Sequence, residues 1–157
     1  MERSRCLIPL VTLMLTLGLP GMARAIEADA GCPRAGETYI EVPDSLGQFR
    51  ETGWPRIPVG GTARHDIMLQ GNVYAVDRRG SATLEVQVVA VDASFRQADT
   101  ISSPPIACGG TATIMLPGLS FGPYRWRARA VDSDMHVSRW RSFGDNPETA
   151  ADFWLAR

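Results

Sequence analysis

The chain has 157 residues, of which 45% are hydrophobic and 21% are charged, and its formal net charge is −1. That length suits one domain with a hydrophobic core of ordinary size. The basic residues are all arginine, and so balanced a charge argues against nucleic-acid partners, because generic binding to phosphates requires a cationic surface.

The N-terminus has the pattern of a secretory signal peptide. Two arginines precede an apolar stretch over 7–19, and an Ala-x-Ala triplet follows at 23–25. The stretch is shorter than the roughly 20 residues that span a bilayer, so we assign 1–25 as a cleaved signal peptide, with a retained signal anchor as the alternative. A lipoprotein is the third and weakest alternative, because Asp29 stands three residues before Cys32, where an apolar residue is required. The mature chain, 26–157, is expected in the periplasm or outside the cell, and it meets the membrane only through the transient signal peptide.

Two cysteines, Cys32 and Cys108, remain after this cleavage. In an oxidising compartment such a pair predicts one disulfide, and two free, buried thiols are the alternative. Closing so long a loop adds on the order of 4 kcal/mol to stability in the chain-entropy model. Two cysteines and the distant His65 and His136 are too few ligands for zinc, so no metal site is predicted from them.

The first part of the mature chain, 26–63, is rich in proline and glycine. It is predicted to be a loop-rich arm that adds one or two edge strands, because proline confines strands to the edges of sheets. Trp54 precedes Pro55 in this arm; we expect it to pack on the body, with an exposed aromatic as the alternative. The remainder, 64–157, is predicted to form one β-sandwich.

Apolar residues recur with a period of two from Asp66 onward, which is typical of strands. Two such segments, 66–76 and 82–92, flank a turn sequence at 77–81, and the combination predicts a hairpin. A further strand is predicted at 111–119, and no segment has a convincing helical period. Short strands at this spacing predict an antiparallel sandwich.

Segment 121–133, FGPYRWRARAVDS, raises the question whether its arginines form a basic binding site. In a strand, alternate side chains share a face. One face then holds Tyr124, Trp126, Ala128 and Ala130, and the outer face holds Arg125, Arg127 and Arg129. Glu85 and Gln87 of the earlier strand are predicted to pair with the arginines across the ladder. We therefore favour a solvated sheet face over a polyanion site.

The stretch 119–133, followed by SRWRSFG at 138–144, resembles a fibronectin type III domain, and the resemblance covers about 66–155. Leu119 and Tyr124 match the tyrosine corner of that family. The buried row of the family is matched by Trp126, Ala128 and Ala130, and the serine and aromatic after the next loop are matched by Ser138 and Trp140. The C-terminal sequence SFGDNPETAADF is similar to sequences that recur in divergent bacterial secreted members of the family.

The resemblance implies an all-β, antiparallel immunoglobulin-like sandwich of about seven strands and no catalysis. It also implies a role as a spacer, a scaffold or a contact module for proteins or glycans. The turn at 134–136, Asp-Met-His, departs from the family, in which glycine is common at this place. No integrin-type RGD tripeptide occurs, so cell adhesion by that route is not implied.

Catalytic motifs are not visible in the sequence. His65 and Asp66 combined with a serine are the nearest approach to a triad, but there is no nucleophile elbow, glycine-rich phosphate loop or HExxH pattern. We predict a protein that is not an enzyme and has no cofactor. Calcium bound by Asp77, Asp132 and Asp134 is the functional alternative for the acidic loops, although aspartate is common at turns for backbone reasons alone.

The leading functional hypothesis is a secreted, non-catalytic structural or protein-interaction module, whose unknown partner binds through loops or an open sheet edge. The alternative is a carbohydrate-binding module, in which exposed Trp54, Trp140 or Trp154 stacks on sugar rings. Buried indoles would remove that alternative. A secreted enzyme or enzyme inhibitor ranks third, because it requires a concave polar pocket.

Overall fold

The structure is a computed structural model that describes Cys32, 39–51 and 55–157. The predicted signal peptide and Trp54 lie outside these residues. Ten strands and one 3-10 turn, Gln97–Asp99, make up the regular structure of the described part. The strands are β1 (Asp44–Arg50), β2 (Gly61–Ala63), β3 (Ile67–Asn72), β4 (Ser81–Ala90), β5 (Thr100–Ser102), β6 (Ile106–Ala107), β7 (Thr111–Leu116), β8 (Gly122–Asp132), β9 (Arg141–Ser142) and β10 (Phe153–Leu155).

These strands form two sheets that pack face to face. The first sheet has the order β1-β3-β7, and the second has the order β2-β10-β8-β4-β5, with β6 added on β4 and β9 on β8. Every strand pairing is antiparallel except that of β2 with β10, which is parallel. The predicted antiparallel β-sandwich is therefore confirmed, and its arrangement is consistent with the immunoglobulin-like class.

The hairpin predicted around 77–81 is wrong, because β3 and β4 belong to different sheets. The turn itself is present, since the N–H of Gly80 donates to the carbonyl of Asp77 at 2.8 Å. Before the turn, Val73 and Ala75 are buried in the core, where the chain crosses between the sheets. Turn chemistry indicates where the chain reverses, but it does not select the sheet that receives the next strand.

The N-terminal arm, 26–63, contributes β1 and β2, and each lies at the edge of its sheet. One polar side chain of β1, that of Gln48, is fully buried in the interior of the domain. The amide nitrogen of Gln48 donates to the carbonyl of Asp152 at 2.6 Å, and its oxygen accepts from the indole N–H of Trp126 at 3.1 Å. These bonds satisfy buried polar groups of the second sheet and fasten the arm to the body.

The core consists of the apolar side chains that the two sheets point toward each other. Trp126 is 1% exposed, and its ring stacks on Phe143 with 4.8 Å between the centroids. Phe153 is completely buried on β10, where it lies opposite Tyr124 of β8. Among the residues predicted for the core, the buried ones are Trp126, Ala128 and Ala130, whereas Leu119 and Tyr124 are half-buried and pack against the cluster.

The predicted disulfide between Cys32 and Cys108 is confirmed, with 6.0 Å between the two Cα atoms. It joins residues 76 positions apart in the sequence, so it removes much conformational freedom from the unfolded chain. A disulfide fits a protein that resides in an oxidising compartment. Within the described residues, no helix has the length and apolar character needed to cross a membrane.

Candidate binding surface

The outer face of β8 carries the arginine row, and side chains of β4 pair with it. Glu85 lies opposite Arg129, and Gln87 lies opposite Arg127. Arg129 Nε donates to Glu85 Oε2 at 2.6 Å, and two nitrogens of Arg127 donate to Gln87 Oε1 at 2.9 and 2.7 Å. The predicted cross-strand pairs are therefore confirmed.

Two aromatic rings cover the same arginine row. The guanidinium of Arg127 lies 4.4 Å from the centroid of Phe95 and 4.6 Å from that of Trp140. Arg125 lies 4.7 Å from the Phe95 centroid, and Arg129 lies 4.5 Å from the Trp140 centroid. These cation–π contacts leave the arginine side chains little exposed, at 15% for Arg125 and 18% for Arg129. The row is a packed layer and not an open basic surface.

The middle of this layer, at Arg127, is crowded with positive charge. Burial, together with the charges of Arg129 and Arg125, lowers the pKa of the Arg127 guanidinium below its ordinary value. Its hydrogen-bond acceptor is the neutral amide of Gln87. The two aromatic rings therefore supply a large part of the stabilisation that this cation receives.

The tryptophans predicted to contact a ligand lie in different surroundings. Trp140 lies beneath two guanidinium groups, whereas Trp154 is 48% exposed on β10. Trp54 lies outside the described residues. Stacking on a sugar requires an accessible ring, and of the described tryptophans Trp154 is the most exposed, whereas Trp126 is buried.

The turn before β8 has the contact that defines a tyrosine corner. The hydroxyl of Tyr124 donates to the carbonyl of Ser120 at 2.8 Å, a bond to the backbone a few residues upstream. The same ring stacks on Phe153 with 5.4 Å between centroids. Leu119 is half-buried against the core beside this turn. Together these contacts hold the first residues of β8 in place.

The loop at the other end of β8 is held by the carboxylate of Asp132. This side chain accepts backbone N–H groups from Val76 at 3.3 Å, Asp134 at 3.0 Å and His136 at 2.9 Å. Its Oδ2 atom also lies 3.0 Å from Nδ1 of His136. Burial acts to raise the pKa of Asp132, but the hydrogen bonds from His136 and Val76 outweigh it and lower that pKa below its ordinary value.

The tip of this loop displays apolar side chains to solvent. Met135 has a φ of 66°, in the left-handed region that residues other than glycine rarely adopt. Its side chain is 75% exposed, and Val137 is 47% exposed. Strained backbone of this kind persists where surrounding contacts enforce it, and it is frequent at ligand sites.

A groove of about 800 Å³ lies between this loop and the segment that leads into β1. Its walls include Tyr39, Val42, His136, Val137 and Arg139. The guanidinium of Arg141 donates to the carbonyl of Pro43 at 3.4 Å, which ties the two walls together. Exposed apolar side chains next to arginine are a composition typical of protein–protein interfaces.

Two of the acids considered for calcium, Asp77 and Asp132, accept backbone N–H groups. Asp77 and Asp132 lie at the same end of the sandwich, where Asp77 Oδ1 accepts the N–H of Arg79 at 2.9 Å. Among the described residues, no group of three or more histidine, cysteine, aspartate or glutamate side chains is arranged to hold a metal ion. The carboxylate of Asp132 is occupied by the hydrogen bonds that shape its loop.

The family of this chain is not shown by similarity to known proteins. No family model matches it, and no curated protein matches it. The fibronectin type III resemblance therefore stays a prediction, and the bond from Tyr124 to Ser120 is the structural feature that favours it.

Some of the residues that build this surface carried no sequence signal. Asp152 is 2% exposed and accepts the N–H of Trp126 at 2.7 Å; burial raises its pKa to about 6 despite that bond. Gln48 supports the same strand and belongs to no recognisable motif, and Asp152, although it lies in the stretch SFGDNPETAADF at 142–153, carries no sign there of a buried role. The loop tip did have a signal, because Asp134-Met135-His136 stands where the resembled family commonly has glycine.

Proposed function

We propose that this chain is a secreted, non-catalytic module of fibronectin type III type that binds a protein partner through the loop after β8. The observation that carries the proposal is the apolar tip of that loop, Met135 and Val137, which Asp132 holds in a strained conformation beside an open groove. The tyrosine corner at Tyr124 supports the family part of the proposal.

Secretion in this proposal is supported by two independent features. The N-terminal sequence, 1–25, has the charge, apolar stretch and small-residue triplet of a signal peptide. The bond between Cys32 and Cys108 is of the kind that persists in oxidising compartments.

The chemistry of the surface favours a partner with an apolar contact at its centre. Met135 is flexible and polarisable, which suits it to a contact that adapts to its partner. Arg139 and Arg141 line the groove together with Glu41 and Asp44, so charged groups of both signs are available at the rim to pair with a partner.

The test is capture of partners from the native extracellular proteome with the wild-type chain and with Met135→Asn combined with Val137→Thr. Asparagine tolerates the left-handed backbone, and threonine keeps the branched shape of valine, so the double variant removes apolar surface and preserves the loop. The captured protein is expected to be lost from the double variant. Ile101→Thr is the matched control, because Ile101 is 42% exposed on β5, away from the loop.

A partner that the double variant still retains would place the binding site elsewhere on the molecule. The same measurement made with Ile101→Thr is expected to match the wild type. Loss of the partner from both variants would contradict the assignment to the loop. It would show that removing exposed apolar surface anywhere on the domain is enough to abolish binding.

A second candidate, a carbohydrate-binding module, is favoured by the exposed ring of Trp154. A glycan array with the wild type and Trp154→Ala tests it. Loss of a specific glycan signal in that variant would support this function. Trp140→Ala is the control, because two guanidinium groups already lie over its ring.

A further inference from the structure

Among the described residues, the first sheet has one covered edge and one open edge. The segment 55–57 lies along β1, where the N–H of Ile57 donates to the carbonyl of Gln48 at 2.7 Å. β7 has no such cover, since within the described residues no backbone hydrogen bond outside its ladder with β3 engages 111–116. An uncovered edge presents unpaired N–H and C=O groups to an incoming strand.

The composition of β7 does not protect this edge. Its six residues, TATIML, include no charged side chain and no proline, although these are the usual means by which edge strands avoid pairing. The edge strands of the second sheet, β2 and β5, have three residues each. In the described part of the chain, β7 is therefore the edge best suited to pair with another strand.

An apolar row on the outer face of the first sheet ends at the same edge. Phe49 of β1 lies opposite Met68 of β3, and Met68 lies opposite Met115 of β7. Met68 is 1% exposed, whereas Met115 is 43% exposed. A strand added to β7 would cover the exposed end of this row.

We infer that β7 pairs antiparallel with β7 of a second copy of this chain, which joins the three-stranded sheets of the two copies into one continuous sheet. A two-fold axis sets equivalent segments against each other. Like charges placed opposite each other destabilise a ladder, and a two-fold axis brings like residues close together. β7 has no charged side chain over its whole length, so it can pair with itself without that repulsion.

The burial pattern of β7 restricts the register of this pairing. Alternate residues face the core, namely Ala112, Ile114 and Leu116, and the others, Thr111, Thr113 and Met115, face outward. Directly opposed residues of an antiparallel pair point to the same face, so outward residues must oppose outward residues. An axis through residue 113 or residue 114 meets this condition. An axis midway between them would set Thr113 against Ile114 and is excluded.

The experiment is sedimentation velocity over a dilution series, with the full chain exported from an expression host and its disulfide intact. A monomer–dimer equilibrium that depends on concentration is expected. Thr113→Lys places lysines near each other at the axis and is expected to abolish the dimer. Thr83→Lys is the matched control, since Thr83 is also half-buried and outward-facing but lies in β4, which has strands paired on both sides.

Loss of the dimer in Thr113→Lys, with a dimer retained in Thr83→Lys, would support the inference. Circular dichroism and thermal unfolding check that both variants fold. If Thr113→Lys does not fold, Met115→Lys, at the exposed end of the apolar row, replaces it as the edge variant. A chain that is monomeric at every concentration overturns the inference, as does a dimer that survives the edge lysines. A monomer that binds a strand of another protein through β7 also overturns it, because the occupant is then not a second copy.

Discussion

The two faces of β8 stabilise the same strand in different ways. On the inner face, Trp126 is sealed from water and depends on close packing and on one hydrogen bond to Gln48. On the outer face, Arg127 keeps its charge and divides its contacts between Gln87 and two aromatic rings. Substitutions of neighbouring residues in one strand are therefore expected to lower the free energy of unfolding by very different amounts. Several weak contacts stabilise the outer face, whereas one large buried side chain stabilises the inner face.

The largest expected effect comes from removing the inner side chain. Trp126→Ala leaves a cavity and unpairs Gln48, so we expect the free energy of unfolding to fall by about 3–5 kcal/mol. Urea denaturation followed by circular dichroism measures it. Arg127→Ala is the matched change on the outer face. If the arginine substitution proved the more damaging, the assignment of the two faces would be inverted.

The next effect concerns Asp152, whose carboxylate accepts the N–H of Trp126. Its pKa in the folded chain is about 6, above the ordinary 3.8, so the folded state binds this proton more tightly than the unfolded state. The stability it contributes is therefore complete below about pH 4 and is lost as the pH rises through about 6. By that shift, the loss is on the order of 3 kcal/mol.

Denaturation of the wild type and of Asp152→Asn between about pH 4 and pH 7 tests this expectation. The asparagine keeps an acceptor for the N–H of Trp126 but does not titrate, so the stability of the wild type should fall relative to the variant as the pH rises. Asp92→Asn, at an exposed position, should follow the wild type. If the free energies of unfolding of the wild type and Asp152→Asn changed with pH in parallel, the pKa of Asp152 would not differ between the folded and unfolded states, contrary to this prediction.

A smaller effect is expected from the polar group behind the inner face. Gln48→Leu keeps the volume of the side chain but unpairs the indole N–H of Trp126 and the carbonyl of Asp152, which should cost about 1–3 kcal/mol. Gln70→Leu is the control, because Gln70 is half-buried on the outward side of β3 and should cost about 0.5 kcal/mol or less. Chemical denaturation of both variants gives the comparison, and equal costs would show that the buried bonds of Gln48 are dispensable.

The smallest effect is expected on the outer face itself. Arg127→Ala removes contacts with Gln87 and with two rings, and at this half-buried position we expect their combined loss to cost about 1 kcal/mol. Arg127→Lys keeps the charge and loses the planar group that stacks on Phe95 and Trp140. If stacking is the main contribution, thermal unfolding should place the lysine variant close to the alanine variant; a lysine variant equal to the wild type would assign the contribution to charge.

The alternation of β8 was predictable from the sequence, and so was its partnership with β4. Period two placed Trp126 inside and Arg127 outside, and complementary polar residues at Glu85 and Gln87 indicated the neighbouring strand. The assignment of β3 and β4 to one hairpin failed because turn residues encode only local reversal. Which sheet a strand joins depends on packing between distant segments, and a single sequence does not display it.

The buried polar residues lay beyond prediction for a related reason. Gln48 and Asp152 can be buried because the indole N–H and the backbone N–H of Trp126 donate hydrogen bonds to them. A local sequence pattern does not reveal hydrogen-bond partners that are so distant in the sequence. The candidate surface was partly predictable, since the turn without glycine at 134–136 marked an unusual backbone. The groove was not, because one of its walls comes from the segment before β1.

The bond between Cys32 and Cys108 also determines how the domain carries mechanical tension. Six of the ten strands, β1 to β6, lie in sequence between the two cysteines. A pull applied upstream of Cys32 and at the C-terminus passes through the sulfur atoms into 108–157 and bypasses those strands. While the bridge is intact, extension under force is limited to the length stored in β7 to β10, and reduction of the bridge releases the remainder.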